Sequence, residues 1–186
     1  MRFGAKPPLV VASLAVAVGL LLFALPGAEG GSYWTSFFPA MVIQGLGMAL
    51  AITPLTTAVL GSVKRERSGL ASGVNNAVTR MAGLLAVAVL GMVVYGMFSA
   101  NLDARLEGMD LPRGVSTELE RAKADLGAAE APEGVDAGTE ARIERAIDES
   151  FVAGFRAVML ASAGLALASA LIAALLIGDR KRPSTG

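Results

Sequence analysis

Four runs of apolar residues constrain this chain of 186 residues more than any other feature. A bilayer core about 30 Å thick is crossed by roughly 20 residues of α-helix, and the runs lie at about 8–25, 37–63, 69–98 and 151–178. Because lipid offers the backbone no hydrogen-bond partner, and alternating strand patterns are absent, the runs are expected to be helices rather than barrel strands. The sequence therefore predicts an all-α membrane protein with four transmembrane helices.

Composition supports this class and excludes several others. The chain is 54% hydrophobic and 17% charged, with a mean hydropathy of +0.59, which is unusual for a soluble domain. It contains no cysteine and no histidine, so disulfide scaffolds, thiolate or imidazole metal sites and Ser/His or Cys/His catalysis are excluded. Dinucleotide and phosphate-loop fingerprints are also missing. We predict no enzymatic activity, no cofactor, no metal and no nucleic-acid partner.

Basic residues beside the runs predict the orientation of the chain. The clusters are Arg2 with Lys6, Lys64 with Arg65 and Arg67, and Arg180 with Lys181 and Arg182. With four spans, all three clusters lie on the same side of the membrane as both termini. Such clusters favour the cytoplasmic side, so both termini are expected in the cytoplasm. We therefore predict a multi-pass protein of the cytoplasmic (plasma) membrane, with a basic cytoplasmic tail at 179–186. Tyr33 and Trp34 are expected at the outer boundary.

The loop at 99–150 is predicted to lie outside the cytoplasm and holds thirteen of the sixteen acidic residues. Two parts, 117–126 and 139–151, have helical character. In the second, Ile143, Ile147 and Phe151 recur every four residues, as on a short amphipathic helix. We interpret the loop as a solvated connection with two helical patches, and a ligand-binding cap is the alternative.

The third run carries polar residues on one helical face. Gly69, Gly73, Asn76, Arg80 and Gly83 are separated by four or three residues, so they form a single stripe. Arg80 lies about 16 Å from Gly69 along the helix axis, close to the bilayer centre, and an arginine there must face the bundle or a water-filled cavity. It is either a residue of a substrate pathway or gate, or a structural arginine bound to neighbouring carbonyls or amides. Arg156 is only one turn inside the last run, so it is expected to reach the interface by snorkelling.

The second run has a similar face of small and polar residues. Gln44, Gly47 and Pro54 belong to it, together with Ala51, Ala58 and Gly61. Pro54 lacks an N–H and clashes with the carbonyl four residues back, so a kink is expected near Ala51. No aspartate or glutamate lies within any of the four runs. A proton relay usually needs such a carboxylate, so none is predicted in this chain.

The two middle runs resemble the late helices of the major facilitator superfamily, in its fourteen-helix drug:proton antiporter branch. In that branch a P-L-T-x-A-V segment and a short basic loop precede G-x-A-S-G-x-x-N-x-x-R-x-x-G. The matching residues are Pro54, Leu55, Thr56, Ala58 and Val59, then Gly69, Ala71, Ser72, Gly73, Asn76, Arg80 and Gly83. The start MRFGAKPP resembles the family's cytoplasmic D-R-x-G-R-[RK] loop through Arg2, Gly4 and Lys6, with Met1 at the aspartate position.

The resemblance implies the C-terminal portion of a multidrug efflux permease that exports hydrophobic or cationic compounds in exchange for protons. Gln44, Asn75, Asn76 and Arg80 would then line or brace the cavity. The glycines Gly47, Gly69, Gly73 and Gly83 would pack helices together. Family members couple protons in their N-terminal half. The chain is therefore expected to be a fragment that needs the helices of that half as partners, and it would arise from an internal start codon or a truncated gene. The alternatives are a four-helix transporter that works as an oligomer and a non-transporting membrane subunit.

Overall fold

A computed structural model describes residues 6–28, 31–61, 64–109, 111–132 and 134–177. Its helices are α1 (Lys6–Phe23), α2 (Tyr33–Ser36), α3 (Phe38–Gly61), α4 (Ser68–Leu106), α5 (Arg113–Ala122) and α6 (Ala137–Leu176), with 3-10 segments at Arg65–Arg67 and Lys123–Ala128. Four of them, α1, the α2–α3 stretch, α4 and α6, are long and apolar enough to cross a membrane. The prediction of an all-α membrane protein with four spanning helices is confirmed.

The last two spanning helices are much longer than a bilayer requires. α4 has 39 residues and α6 has 40, which corresponds to nearly 60 Å each at 1.5 Å per residue. α4 continues past the expected end at Phe98 to Leu106, and α6 begins at Ala137, well before its apolar part. Of the two helical patches predicted in the loop, 117–126 covers the second half of α5 and the start of the following 3-10 segment, and 139–151 lies within α6. The predicted cytoplasmic tail at 179–186 lies outside the described residues.

The chain divides into two compact units. The first, the α1–α3 unit, contains α1, α2, α3, the part of α4 up to Leu85 and the part of α6 from Leu160. α1 packs along α3 and buries Leu9, Ala12 and Gly19. At the start of this unit's second span, the ring centroids of Trp34 and Phe38 lie 5.2 Å apart. Trp34 is 69% exposed, as suits an amphipathic ring in a membrane interface.

The second, the loop unit, comprises Ala24–Gly31 and Ala86–Met159 and has its own hydrophobic core. The core residues are Phe98 and Leu102 of α4, Leu119 of α5, and Ile143, Ala146 and Ile147 of α6. Phe98 and Leu102, like Ile143 and Ile147, are four residues apart and so share a helix face. The acidic loop is thus more than a solvated connection, because helices from both of its ends and its middle bury apolar side chains together.

Close backbone contacts and a helix cap complete the loop unit. A Cβ at Gly154 of α6 would lie 3.0 Å from the carbonyl oxygen of Val94. Phe151, the third residue of the predicted apolar stripe, lies over Gly127, where a Cβ would meet its ring at 2.9 Å. Asp136 caps α6: its Oδ1 accepts from the backbone N–H of Gly138 at 3.0 Å and of Thr139 at 3.1 Å. α6 therefore begins at a defined residue rather than fraying into the loop.

Candidate functional site: the polar face of α4 and the α1–α3 contact

Two glycines let α1 and α3 approach closely. A Cβ at Gly47 of α3 would lie 2.8 Å from the backbone nitrogen of Val16 and 3.0 Å from the carbonyl oxygen of Ala12. A Cβ at Gly19 of α1 would lie 2.7 Å from Cβ of Gln44. Lipid supplies no hydrophobic driving force between helices, so their association depends on van der Waals packing, and small residues let the two backbones approach closely enough for it. Gly47 and Gly19 thus lie where α3 and α1 approach most closely, and the helix-packing role of Gly47 stays a prediction.

Two further candidates on α3 also lie toward its packed side. Gln44 is half-buried beside Gly19, and Pro54 is buried inside α3. Near the proline, Oγ1 of Thr56 donates to the carbonyl of Ile52 at 2.9 Å, whereas the carbonyl that Pro54 leaves without a helical donor is that of Leu50. Serine and threonine side chains often satisfy backbone oxygens in this way in membrane helices.

The polar stripe of α4 faces open space. A Cβ at Gly69, Gly73 or Gly83 would meet nothing within 4 Å, and the side chains of Asn76 and Arg80 are exposed. Only 6% of the most apolar stretch of α4 is buried, compared with 22% for α1. The glycines of α4 that the sequence predicts for close packing therefore meet no other described helix at this distance, and their packing role stays a prediction.

Arg80 makes no hydrogen bond or ion pair within the described part of the chain, although it lies in the middle of a long apolar helix. Asn75 of the same helix is half-buried, and its carbonyl accepts a hydrogen bond from Oγ1 of Thr79 at 2.8 Å. No hydrogen bond between described residues joins Gln44 to Asn75, Asn76 or Arg80. The four candidate pathway residues are thus not brought together: Gln44 lies at the α1–α3 contact, Asn76 and Arg80 lie on the exposed stripe of α4, and the half-buried Asn75 lies beside that stripe.

The basic motif at the start of the chain is described only in part. Arg2 and Gly4 lie outside the described residues, whereas Lys6 is the first residue of α1. Lys6 and the two prolines that follow form the first turn, where the missing N–H of proline removes no intrahelical bond. Its place in a cytoplasmic loop motif stays a prediction.

The exposed Arg156 binds the segment that follows α1, which is compatible with the expected snorkelling. Its Nε donates to the carbonyl of Ala24 at 3.0 Å, and its Nη2 donates to the carbonyls of Leu25 at 3.3 Å and Pro26 at 3.1 Å. These carbonyls directly follow α1, which ends at Phe23. The sequence contains one indication of it, since Pro26 ends a helix and leaves carbonyls without intrahelical donors.

The loop unit holds two part-buried ion pairs and a small cavity. The side chain of Lys123 is 6% exposed, and its ammonium donates to the more exposed carboxylates of Asp103 and Glu120. Burial lowers the pKa of Lys123, but the hydrogen bonds and attraction of the two carboxylates outweigh burial and raise it. A cavity of about 260 Å³ adjoins this pair. Its lining residues are Asp103, Leu106, Glu107, Met109, Leu111, Ser116 and Glu120.

No protein-family model matches the chain, but several proteins of known role are similar to it. It is 32% identical to the multidrug resistance protein Stp of Mycobacterium tuberculosis over 111 residues, which are 57% of this chain and 19% of that protein. It is 27% identical to the tetracenomycin C resistance and export protein of Streptomyces glaucescens over 175 residues, 92% of this chain and 32% of that protein. A triacylglyceride transporter of Mycolicibacterium hassiacum is 27% identical over 185 residues, 89% of this chain and 31% of that protein.

The chain thus spans a third or less of the length of these three relatives. The relatives are named for resistance, export or transport, and they are not enzymes. Together with the four apolar helices, the similarity identifies a multi-pass membrane protein that is related to part of the length of membrane transporters.

Proposed function

We propose that these helices form the last part of a major facilitator superfamily exporter of the fourteen-helix drug:proton antiporter branch. The exporter would move hydrophobic or cationic compounds out of the cytoplasm. The observation that carries the proposal is the similarity along 92% of the chain to a resistance and export protein of which the chain covers 32%. The motif residues around Pro54 and from Gly69 to Gly83 support the family assignment.

The uncovered face of α4 supports an assembly larger than four helices. A charged side chain at the bilayer centre costs about 3 kcal/mol on insertion scales unless it is paired or hydrated, and Arg80 has no partner among the described residues. Arginine offers five N–H donors in a planar fork. We infer that helices outside this chain supply acceptors to Arg80 and cover Gly69, Gly73 and Gly83, so that Asn76 and Arg80 border the substrate pathway.

The same proposal implies an orientation in the membrane and a location for proton coupling. Both termini would be cytoplasmic and the loop at 99–150 would lie on the extracytoplasmic side of the plasma membrane, as the basic clusters favour. The four apolar runs contain no aspartate or glutamate. Proton coupling would therefore belong to helices that precede this chain in the transporter, and the four helices would not complete a transport cycle alone.

A drug-accumulation assay in efflux-deficient cells tests the proposal. The 186-residue chain would be compared with the same gene extended through any in-frame upstream coding sequence, with both forms quantified in the membrane. We expect only the extended form to lower accumulation, and we expect Arg80→Ala to abolish that effect while Arg145→Ala, an exposed arginine on α6, leaves it unchanged.

Two results would overturn the proposal. Export by the short chain alone would mean that four helices assemble a complete pathway as an oligomer. Absence of export by either form, despite normal membrane levels, would favour a non-transporting subunit. A membrane protein that co-purifies with the chain would then identify its partner.

A further inference from the structure

The second spanning stretch begins with aromatic side chains that pack on one another. The ring centroids of Tyr33 and Trp34 lie 5.6 Å apart in an edge-to-face arrangement, and those of Trp34 and Phe38 lie 5.2 Å apart. The hydroxyl of Tyr33 donates to Sδ of Met41 at 3.6 Å. All four residues belong to the α1–α3 unit, and we call them the aromatic cluster. Ring pairs of this geometry stabilise one another beyond the area that they bury.

The aromatic cluster presents both apolar surface and a polar donor. The exposed fraction is 69% for Trp34, 50% for Tyr33, 48% for Met41 and 42% for Phe38. The indole N–H of Trp34 donates no hydrogen bond within the part of the chain that the structure describes. Because the hydroxyl of Tyr33 already donates to Met41, the indole N–H is the donor that the cluster offers to its surroundings.

The position of the cluster along the span places it at the edge of a bilayer. The span runs from Tyr33 to Thr56 and has 24 residues, which corresponds to about 36 Å at 1.5 Å per residue. The hydrocarbon core is about 30 Å thick, so the ends of the span reach the interfacial region. Tyr33 and Trp34 are its first two residues, and Met41 lies about two turns further along the helix. The cluster therefore extends from the interface toward the hydrocarbon.

These properties fit one kind of surroundings. Hydrocarbon would cover the rings but would leave the N–H of Trp34 without an acceptor. Water would supply the acceptor but would leave the apolar surface of the rings unburied. The interface of a lipid leaflet supplies ester and phosphate oxygens together with acyl chains, and tryptophan and tyrosine are enriched there for this reason.

We propose that the aromatic cluster is an interfacial anchor, which binds the glycerol-ester region of one lipid leaflet and sets the depth of the second span. Phe38 is a positioning residue in this anchor, because its ring packs against the indole and holds Trp34 in place. The sequence places only Tyr33 and Trp34 at a boundary, whereas the packing adds Phe38 and Met41 and makes the four side chains act together. The anchor requires a bilayer but no transport, so it goes beyond the proposed export function and can fail separately from it.

Fluorescence quenching by brominated lipids tests the anchor, because Trp34 is the single tryptophan of the chain. The 186-residue chain would be reconstituted into phosphatidylcholine vesicles whose acyl chains carry bromine near the ester groups, at mid-chain or near the terminal methyl. We expect quenching at least about twofold stronger with the shallow bromines than with the deep ones. Equal or stronger quenching by the deep bromines would overturn the anchor. Absence of quenching by all three lipids would also overturn it, since protein or water would then surround the indole.

Phe38→Leu tests the positioning role, because leucine is apolar but lacks the ring that contacts the indole. We expect the preference for shallow bromines to fall from about twofold or more toward equal quenching. Tyr95→Leu is the matched control: it removes an exposed ring of α4 that has no ring contact with the cluster among the described residues, and it should leave the preference unchanged.

The same preference in Phe38→Leu as in the parent chain would overturn the packed anchor, even with Trp34 itself at the interface. Circular dichroism of the vesicles verifies that the variants are as helical as the parent. If Phe38→Leu does not fold, Tyr33→Leu removes the other ring that packs against the indole, and the same comparison decides.

Discussion

The contact of α3 with α1 gives a prediction with a matched control on the same helix. A Cβ added at Gly47 would lie 2.8 Å from the backbone nitrogen of Val16, 2.9 Å from its Cγ2 and 3.0 Å from the carbonyl oxygen of Ala12. A Cβ added at Gly45, two residues earlier, would meet nothing within 4 Å. Gly47→Ala should therefore strain the contact, whereas Gly45→Ala should not.

The expected difference follows from the geometry. Two of the three nearest atoms at Gly47 belong to the backbone of α1, so no side-chain rotation relieves the clash, and α1 must retreat by about 0.6 Å to restore 3.4 Å. Overpacking of this kind costs about 1–3 kcal/mol. Both variants gain roughly 0.5–1 kcal/mol of helix propensity from replacing glycine, so this gain cancels when they are compared. Gly47→Ala should thus be about 1–3 kcal/mol less stable than Gly45→Ala.

Thermal unfolding in detergent micelles measures this difference. The fluorescence of the single tryptophan, Trp34, reports on the α1–α3 unit because the residue lies in it. Circular dichroism of the same samples verifies that both variants begin equally helical. Equal midpoints for Gly45→Ala and Gly47→Ala would refute the close α1–α3 contact.

Three further predictions concern charged groups. Arg80→Lys should lower efflux at least about tenfold in an exporting form, because lysine keeps the charge but loses the planar fork, and drug accumulation measures it. Lys123→Met should destabilise α5 by roughly 1–3 kcal/mol through loss of the hydrogen bonds to Asp103 and Glu120, and hydrogen exchange measures this loss. Because the pKa of Lys123 is raised in the folded state, the stabilisation is present below the unfolded-state pKa of about 10.4 and disappears as pH rises through the folded-state pKa. Hydrogen bonds to the carboxylate lower the pKa of Asp136, so the start of α6 is stabilised above about pH 4 and frays as pH falls through the folded value; Asp136→Asn should remove this pH dependence of exchange while keeping a cap.

The spanning helices follow from the sequence because one property decides them. An apolar run of about 20 residues has few alternatives to a membrane helix, and each of the four runs lies in a helix that is long and apolar enough to cross a membrane. Part of the loop core is equally readable, since Ile143 and Ile147 share a face by spacing alone and are both buried. The sequence does not predict where α4 ends and α6 begins, because the polar extensions of these helices have the mixed polar composition that is also typical of a loop.

The missed contacts are those between residues distant in sequence. Arg156 lies 130 residues or more from the carbonyls that it binds, and its own surroundings in the sequence are those of any interfacial arginine. Gly19 lies in a run of alanine, valine and leucine that indicates only a span. Its role depends on Gln44, and no local pattern pairs the two. Similarly, the charge pattern of the loop does not distinguish the buried Lys123 from its exposed neighbours.

Exposure has a different meaning for the apolar and the polar residues of these helices. An exposed leucine on α4 is satisfied by lipid as well as by protein, so it gives no information about what covers the helix. An exposed arginine at the same depth is satisfied by neither lipid nor empty space. At the depth that the sequence predicts, Arg80 would therefore say more about the surroundings of α4 than the apolar side chains near it. Arg156, whose guanidinium donates to three carbonyls, shows the kind of acceptor set that the proposed export assembly would have to supply to Arg80.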